Sequence, residues 1–359
     1  MAFQLPFLNT PLRKKRPQFI CIDLGTRTTK AILLERRGDL LALVRYAILD
    51  APLYEKKLSV DQMGDHLHSV VNELGNTTKY VSLSLGLSDA MVRQVEFPQI
   101  PVDEMRMVLK VNHKNYMQQD LPNHTFDCHI FPLQSDSEAA KQVAAGAPKK
   151  FKALVAAAKN QLVSEIMQAT GIAGLVTDAL TPSLICPLNA FEQAAPQAFA
   201  NDTVALVDIG FKHSSICIVD RGIFATNRVV NIGGDHFTTG LADAKGITYA
   251  EAEGIKIGMA GEVESELQMS VLPLGREIRA LLDFFEHQND RPVSQVYFCG
   301  GTARSKNILE LLRSEILVEC KSWDPTNFLQ LALTGQQAVE AEHVGPELTV
   351  AIGTALAAY

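Results

Sequence analysis

Two carboxylates stand at the same place in two copies of one pattern. Phe19-Ile20-Cys21-Ile22-Asp23-Leu24-Gly25-Thr26-Arg27-Thr28-Thr29-Lys30 returns as Val204-Ala205-Leu206-Val207-Asp208-Ile209-Gly210-Phe211-Lys212-His213-Ser214-Ser215. In each copy an apolar run ends in Asp-x-Gly and a polar turn follows. A second apolar run (Ala31 to Leu34; Ile216 to Val219) then leads to a charged turn holding Gly38 or Gly222. This wording predicts two β-hairpins. A glycine just after the aspartate has no Cβ, so backbone N–H groups can approach a phosphate closely. Thr26, Thr28, Ser214 and Ser215 add neutral hydroxyl donors, and Lys30 can add a positive charge. Asp23 and Asp208 cannot bind phosphate. They suit a hydrated Mg²⁺, which keeps several waters and takes one or two protein carboxylates. Either copy alone spells an ordinary hairpin. The repetition, with hydroxyls in matching places, points to a phosphate clamp.

Two further segments fit a nucleotide. Val296-Tyr297-Phe298-Cys299 reads as a buried strand, and Gly300-Gly301-Thr302-Ala303-Arg304 leads into a helical pattern at Ile308, Leu309, Leu311 and Leu312. Two glycines between a strand and a helix let a flat ring or a phosphate lie against backbone at the helix N-terminus. Thr248-Tyr249-Ala250-Glu251 spells a capping box that starts another helix. Glu253 and Lys256 then lie three residues apart on one face of it. That pair reads either as a surface salt bridge or as a grip on ribose and adenine.

The elements that must position these residues alternate between strand and helix, with the hairpin unit duplicated, so the class is α/β in two similar halves. At 359 residues the chain exceeds one typical core. A first half is expected over 18–200, interrupted by an inserted subdomain over 80–150, and a second half over 201–359. The second half includes a smaller subdomain over 234–289. Within the insertion a helix over Val102 to Met117 carries Met105, Val108, Leu109 and Asn112 at core-facing spacing. Ser135 to Lys150 reads as the insertion's exit loop.

A net charge of −7 makes nucleic acid a poor partner for the body of the chain. The six cysteines show no CxxC spacing and read as small buried hydrophobes in a reducing compartment. His66 and His68 fall on different helical faces, which argues against a metal site there. No apolar run reaches the roughly 18 residues of a membrane span. The tail over 1–17 carries a short apolar piece, Phe3 to Leu8, and then Arg13-Lys14-Lys15-Arg16. It reads as a disordered solvated tail, or as a contact with an anionic membrane surface at about 1 kcal/mol per basic residue.

Taken in order, these elements resemble the actin, sugar-kinase and heat-shock-chaperone superfamily, an actin-like (ribonuclease H-like) duplicated two-lobe ATP-binding fold. Asp23 to Lys30 resembles its first phosphate loop, Asp208 to Ser215 its second, and Val296 to Arg304 its adenosine motif. Leu348 to Leu356 resembles its small-residue connecting helix. Within the superfamily the chain is similar to the PilM family of type IV pilus assembly, related to FtsA. Val81 to Gly86 with Val92 to Pro98 resembles the start of the subdomain that PilM and FtsA share. Phe151 to Asp178 resembles the strand–helix–strand return, with Gly171 closing the helix. Asn231-Ile232-Gly233-Gly234-Asp235-His236-Phe237, followed by the Glu253/Lys256 helix, is similar to PilM in wording and spacing.

The resemblance implies ATP and Mg²⁺ in the cleft between halves. It implies contacts from Asp23, Gly25, Thr26, Arg27, Thr28, Lys30, Asp208, Gly210, Lys212, Ser214, Glu253, Lys256, Gly300, Gly301 and Arg304. Asp23 and Asp208 would hold the metal, through water. It further implies a cytoplasmic scaffold at the inner membrane that holds the N-terminal tail of a PilN-type membrane protein beside the inserted subdomain, among other pilus components. Phe211, Lys212 and His213 depart from the small or polar residues usual in the second loop. Ala179-Leu180-Thr181-Pro182 lacks the acidic residue expected for activating a water. Binding is therefore expected, with at most slow ATP hydrolysis.

Three other readings stay open at this stage. One is an FtsA-like division anchor, whose detached amphipathic helix the Phe3 to Arg16 piece would have to replace. Another is a small-molecule kinase, with Asp178 the one candidate base. The third is a secretion-system cousin, separated from the pilus reading only by its partner.

Overall fold

Strand β1 (Gln18–Leu24) is apolar on both faces, as a strand in the middle of a covered sheet must be. Ile20 and Ile22 enter one core and Phe19 and Cys21 another on the opposite face. The computed structural model describes residues 16–52, 58–75, 77–98, 100–131 and 150–358.

β1 is followed by β2 (Thr28–Arg37), β3 (Leu40–Asp50), helix α1 (Val60–Glu73) and β4 (Tyr80–Leu85). An insertion then supplies β5 (Ala90–Pro98), α2 (Val102–Met117), β6 (His124–Ile130) and β7 (Lys150–Lys159). Helix α3 (Asn160–Ile172), β8 (Val176–Pro182), α4 (Cys186–Ala194) and α5 (Pro196–Asn201) complete this part. The hairpin unit repeats as β9 (Thr203–Ile209), β10 (Ser214–Asp220) and β11 (Ile223–Val230). Three helices come next, α6 (Gly234–Lys245), α7 (Tyr249–Gly258) and α8 (Glu264–Asn289). The chain ends through β12 (Gln295–Cys299), α9 (Lys306–Ile316), β13 (Cys320–Ser322), β14 (Gln330–Leu331) and α10 (Gln336–Ala358).

These strands form three sheets, in the orders β14-β3-β2-β1-β4-β8, β11-β10-β9-β12-β13 and β5-β7-β6. The two larger sheets are built on the same hairpin. Asp23 pairs with Lys30 and Leu24 with Thr29, while Asp208 pairs with Ser215 and Ile209 with Ser214. The glycines close both turns alike. A Cβ on Gly25 would meet the Thr28 carbonyl at 2.5 Å, and one on Gly210 the His213 carbonyl at 2.7 Å. The charged turns form with Gly38 at φ 67° and Gly222 at φ 78°, the left-handed region where glycine carries no steric cost.

Helix α10 locks the two sheets together. It lies on the Cys21 face of the first sheet through Leu348, Ala351, Ile352 and Ala355. Gly353 touches the Cys186 carbonyl of α4 so closely that a Cβ would overlap it. The small-residue run around Gly353 therefore sets a backbone-to-backbone crossing.

Several sequence expectations shift. β4 is a strand of the first sheet, and β7 is the middle strand of the small one, so the insertion runs from β5 through β7 and not over 80–150. β7 reads like a returning core strand because it is buried on both faces. Leu154, Ala156 and Ala158 enter the core of the first sheet, and Ala153, Val155 and Ala157 pack within the insertion. In α2 a kink at Asn112 (φ −123°) rotates the later turns, so Met117 is buried and Asn112 exposed. Gly174 at φ 72°, and not Gly171, takes the left-handed position after α3. Helix α8 carries Pro273 in its interior. All six cysteines are free, and five are buried. Most of Ser135 to Lys150 and of the N-terminal basic piece lies outside the described residues.

Candidate functional site

The first aspartate is oriented by its neighbours in the sheet. Asp23, Ser84 of β4 and Thr181 of β8 fall in one row across three strands. The Ser84 hydroxyl donates to Asp23 Oδ1 at 2.8 Å, and Lys30 Nζ stands 3.6 Å from Oδ2. Asp208 ends β9 in the other large sheet. Burial and the nearby charge of Asp23 push its pKa up to about 6, against some relief from Lys30. Two carboxylates thus face one space with one lysine beside them. A hydrated divalent cation fits that charge, because it would offset both the burial and the repulsion from Asp23 that raise Asp208.

Backbone closes the rest of the site. β12 lies parallel to β9 with Cys299 opposite Asp208, so the chain must turn at Gly300 just beside that carboxylate. Gly300 sits at φ 92°, and any Cβ there would overlap Asp208 Oδ1. The expected passage from Gly300 straight into a helix is replaced by a 3-10 turn over Gly301–Arg304, and α9 then starts at a separate cap, Ser305. Helix α6 begins on the second hairpin turn. Gly234 N–H donates to the Gly210 carbonyl at 3.0 Å and Asp235 N–H to the Phe211 carbonyl at 2.9 Å. A Cβ on Gly233 would meet those two carbonyls at 2.6 and 2.5 Å. Thr302 Oγ1 adds a third bond, to the Gly210 carbonyl at 3.2 Å. Close approach of backbone to backbone explains why glycines gather here.

The capping box of α7 forms as spelled, with Thr248 and Glu251 exchanging bonds. It aims Glu253 and Lys256 under the start of α6. Lys256 Nζ donates to the Gly234 carbonyl (3.0 Å) and Thr238 Oγ1 (2.6 Å), and pairs with Glu253 at 2.7 Å. Burial lowers the Lys256 pKa, and the Glu253 contact offsets part of that. Burial alone would raise Glu253. Its bonds to Lys256 and Thr238, with the charges of Lys256 and Arg27, hold it below the ordinary carboxylate range. The surface reading of this pair is corrected: Lys256 is 7% exposed and stitches α7 to α6.

Two bridges cross from the first hairpin turn to the second half. Arg27 Nη1 lies 3.2 Å from Glu253 Oε1, and its guanidinium stands 5.1 Å from the centre of the Phe211 ring. Thr28 Oγ1 donates to Glu347 Oε1 of α10 at 3.3 Å, while Arg304 Nη1 donates to the other oxygen at 2.8 Å.

Asp23, Gly25, Arg27, Thr28, Lys30, Asp208, Gly210, Glu253, Gly300, Gly301 and Arg304 therefore come close together around the two hairpin turns. Thr26 is exposed at the tip of its turn. Besides Lys256, which is buried under the start of α6, three expected residues turn away. Ser214 is fully buried, its hydroxyl donating to the Ile232 carbonyl at 2.6 Å. Lys212 leans 2.6 Å from Asp235, which also accepts from Tyr249. Asp178 lies three residues before Thr181 on β8, away from the row that holds Asp23, and is gripped by both Arg16 Nε and Nη2 at 3.2 Å. Arg16 also covers the Tyr80 ring at 3.5 Å, so this last residue of the basic tail is docked on the body.

Sequence reasoning left out Ser84, Phe211, Gly233, Gly234, Thr302 and Glu347 as site residues. The Gly233-Gly234 pair carried the same signal as Gly300-Gly301. Glu347 carried none, since its role depends on a helix that returns from the far end of the chain. Among the described residues no group of three or more His, Cys, Asp or Glu could hold a metal by protein ligands alone. No helix among them is long and apolar enough to cross a membrane.

Comparison with known proteins agrees with this geometry. FtsA, the cell division protein of Bacillus subtilis (strain 168), is 21% identical over 260 residues, 66% of this chain and 57% of FtsA. The chain thus spans little more than half the length of that relative. Among solved structures, a PilM-PilN type IV pilus biogenesis complex matches with TM-score 0.78 and 21% identity, over 96% of this chain and 98% of that one. The ethanolamine utilization protein EutJ of Carboxydothermus hydrogenoformans matches with TM-score 0.52 and 17% identity, over 96% and 91%. MreB 5 of Spiroplasma citri, solved bound to AMPPNP, matches with TM-score 0.50 and 11% identity, over 96% of each chain. The fold is the actin-like ATPase fold. Residues 21–359 match the model of the type IV pilus assembly protein PilM, and the chain belongs to that family.

Proposed function

We propose that this protein binds Mg-ATP between its two large sheets and serves as a cytoplasmic scaffold of pilus assembly, holding the tail of a PilN-type membrane protein. The observation that carries the nucleotide part is the convergence of Asp23 and Asp208 from duplicated hairpins. Their mutual repulsion is the condition a magnesium ion would relieve. A ligand touching both hairpins favours closure of the halves through contacts it makes only when they are closed. Lys30 beside Asp23 would face the phosphates, with Gly25 and Gly210 leaving backbone open to them. MreB 5 was solved with a nucleotide analogue, which supports the same use of the fold here.

For the partner, the supporting feature is a groove of about 610 Å³ between α3 and β6, lined by Thr125, Asn160, Val163, Ser164, Met167 and Gln168. β6 is the end strand of its sheet among the described strands, the position at which an extended peptide could add as a further strand. The solved PilM-PilN complex supports a PilN-type partner.

A small-molecule kinase is the weaker reading, because its candidate base Asp178 is bound by Arg16. Thr181 stands in the row of Asp23 where an acid would serve hydrolysis, which supports binding over turnover. The test is a pull-down from detergent-solubilised native membranes, with and without Mg-ATP. Capture of a single-span pilus protein through its cytoplasmic tail supports the scaffold. Capture of division proteins favours an FtsA-like anchor, and capture of secretion components favours the related secretion machine. Capture of nothing removes the scaffold reading.

A further inference from the structure

Glu253 is the carboxylate that the proposed nucleotide site offers to a ribose, yet its two oxygens are both held. Oε2 takes Lys256 at 2.7 Å and also the Thr238 hydroxyl. Oε1 faces Arg27 at 3.2 Å. Lys256 is buried and fixed by Gly234 and Thr238, so Oε2 stays engaged whatever enters the cleft. Oε1 is different. Its partner comes from the opposite half, from the tip of a turn, with a side chain 41% exposed. The other contact of that guanidinium is the face of Phe211, 5.1 Å away.

We propose that Arg27 makes ribose recognition by Glu253 conditional on a phosphate chain, so that the cleft rejects nucleosides and selects nucleotides. A ligand that takes Glu253 Oε1 must first release Arg27. A nucleoside offers the guanidinium nothing in return and leaves it with a ring face alone. A nucleotide offers phosphate oxygens, which a guanidinium binds through parallel charge-assisted bonds at least as well as a carboxylate. Arg27 sits two residues after Gly25, on the turn whose missing Cβ leaves backbone open to phosphate. Phe211 is the pivot, because an arginine that slides over a ring face keeps its cation–π contact while exchanging one anion for another. The departure at Phe211 from the small or polar residues usual in that loop thus gains a role as a rest for Arg27. Lys212, 5.4 Å from the ring centre, is held by Asp235 and cannot take over.

The inference rests on the proposed nucleotide site, and the test separates the two. Affinities for adenosine, ADP and ATP with magnesium are measured by calorimetry on the full chain, for the wild type, R27A and R27K. Only the half-exposed ion pair is given up, since the ring contact persists, so R27A is expected to bind adenosine about two- to fivefold more tightly than wild type. The same change lowers ATP affinity by at least as much, because the phosphate partner is lost. R27K keeps the charge and recovers part of the ATP affinity, and its adenosine affinity lies between those of wild type and R27A. If wild type binds ATP and R27A gains nothing with adenosine, the conditional role is overturned while the nucleotide site stands. If wild type binds neither ADP nor ATP, the site itself is wrong and the inference falls with it.

Discussion

Glu347 accepts a hydrogen bond from the Thr28 hydroxyl, 3.3 Å away, although 319 positions separate the two in the chain. The same carboxylate holds Arg304 at 2.8 Å, so one side chain of the closing helix ties the first hairpin turn to the loop after β12. Glu347 is 10% exposed at its side chain, and removing it leaves Arg304 without its carboxylate. E347A is expected to cost about 1–3 kcal/mol. T28A, which leaves the Arg304 pair intact, should cost under about 1.5 kcal/mol. Urea denaturation of the two variants checks the order, and equal losses would show that the Arg304 pair contributes nothing.

Asp208 makes the nucleotide-free protein sensitive to pH. Its folded pKa, about 6, lies above the unfolded value, so the folded state binds the extra proton between the two. The stability this provides is present below about pH 4 and is lost as pH rises through 6. D208N removes the charge and should raise the melting temperature of the empty protein at pH 7.5. The gain should shrink through pH 6 and vanish near pH 4. In calorimetry at pH 7.5, D208A should lose the magnesium dependence of ATP binding, and unchanged dependence would remove Asp208 from the metal site.

His66 of α1 supports the first turn from behind, its Nε2 lying 2.7 Å from the buried Thr29 hydroxyl. Burial lowers its pKa below the ordinary histidine value. The sign is the reverse of Asp208. The unfolded state binds the extra proton, so stability is full above about pH 6.5 and declines as pH falls below it toward the folded pKa. H66A should cost about 1 kcal/mol at pH 7.5 and flatten the decline between pH 6.5 and 5. Melting curves across that range decide it.

Gly353 leaves no room for a methyl group against the Cys186 carbonyl. G353A should part α4 from α10 at a cost of about 3 kcal/mol or more, at the upper end for overpacking. Soluble yield and melting temperature report it, and a variant as stable as wild type would show that the crossing yields easily.

Met167 is 46% exposed on the α3 side of the groove beside β6. M167E should change stability by less than about 0.5 kcal/mol, as surface substitutions do. It should weaken capture of a PilN-type tail in the pull-down by about tenfold. Undiminished capture would move the partner surface elsewhere.

The sequence by itself determined the units that local rules govern. Asp-x-Gly after an apolar run became a hairpin twice, in the same register, because a turn closes within a few residues and only glycine fits beside the Thr28 and His213 carbonyls. The capping box at Thr248 and Glu251 formed for the same reason. Tertiary structure decided what depends on partners far along the chain. β7 looked like a strand of the large sheet, since a strand covered on both faces carries no mark of which sheet covers it. Asp178 looked available until Arg16 met it across 162 positions. Lys212 and Ser214 carry the right groups, but the start of α6 and the Ile232 carbonyl claim them. Arg27 gave no sign of its attachment to Glu253 and Phe211, because that contact exists only where two halves of the chain face each other.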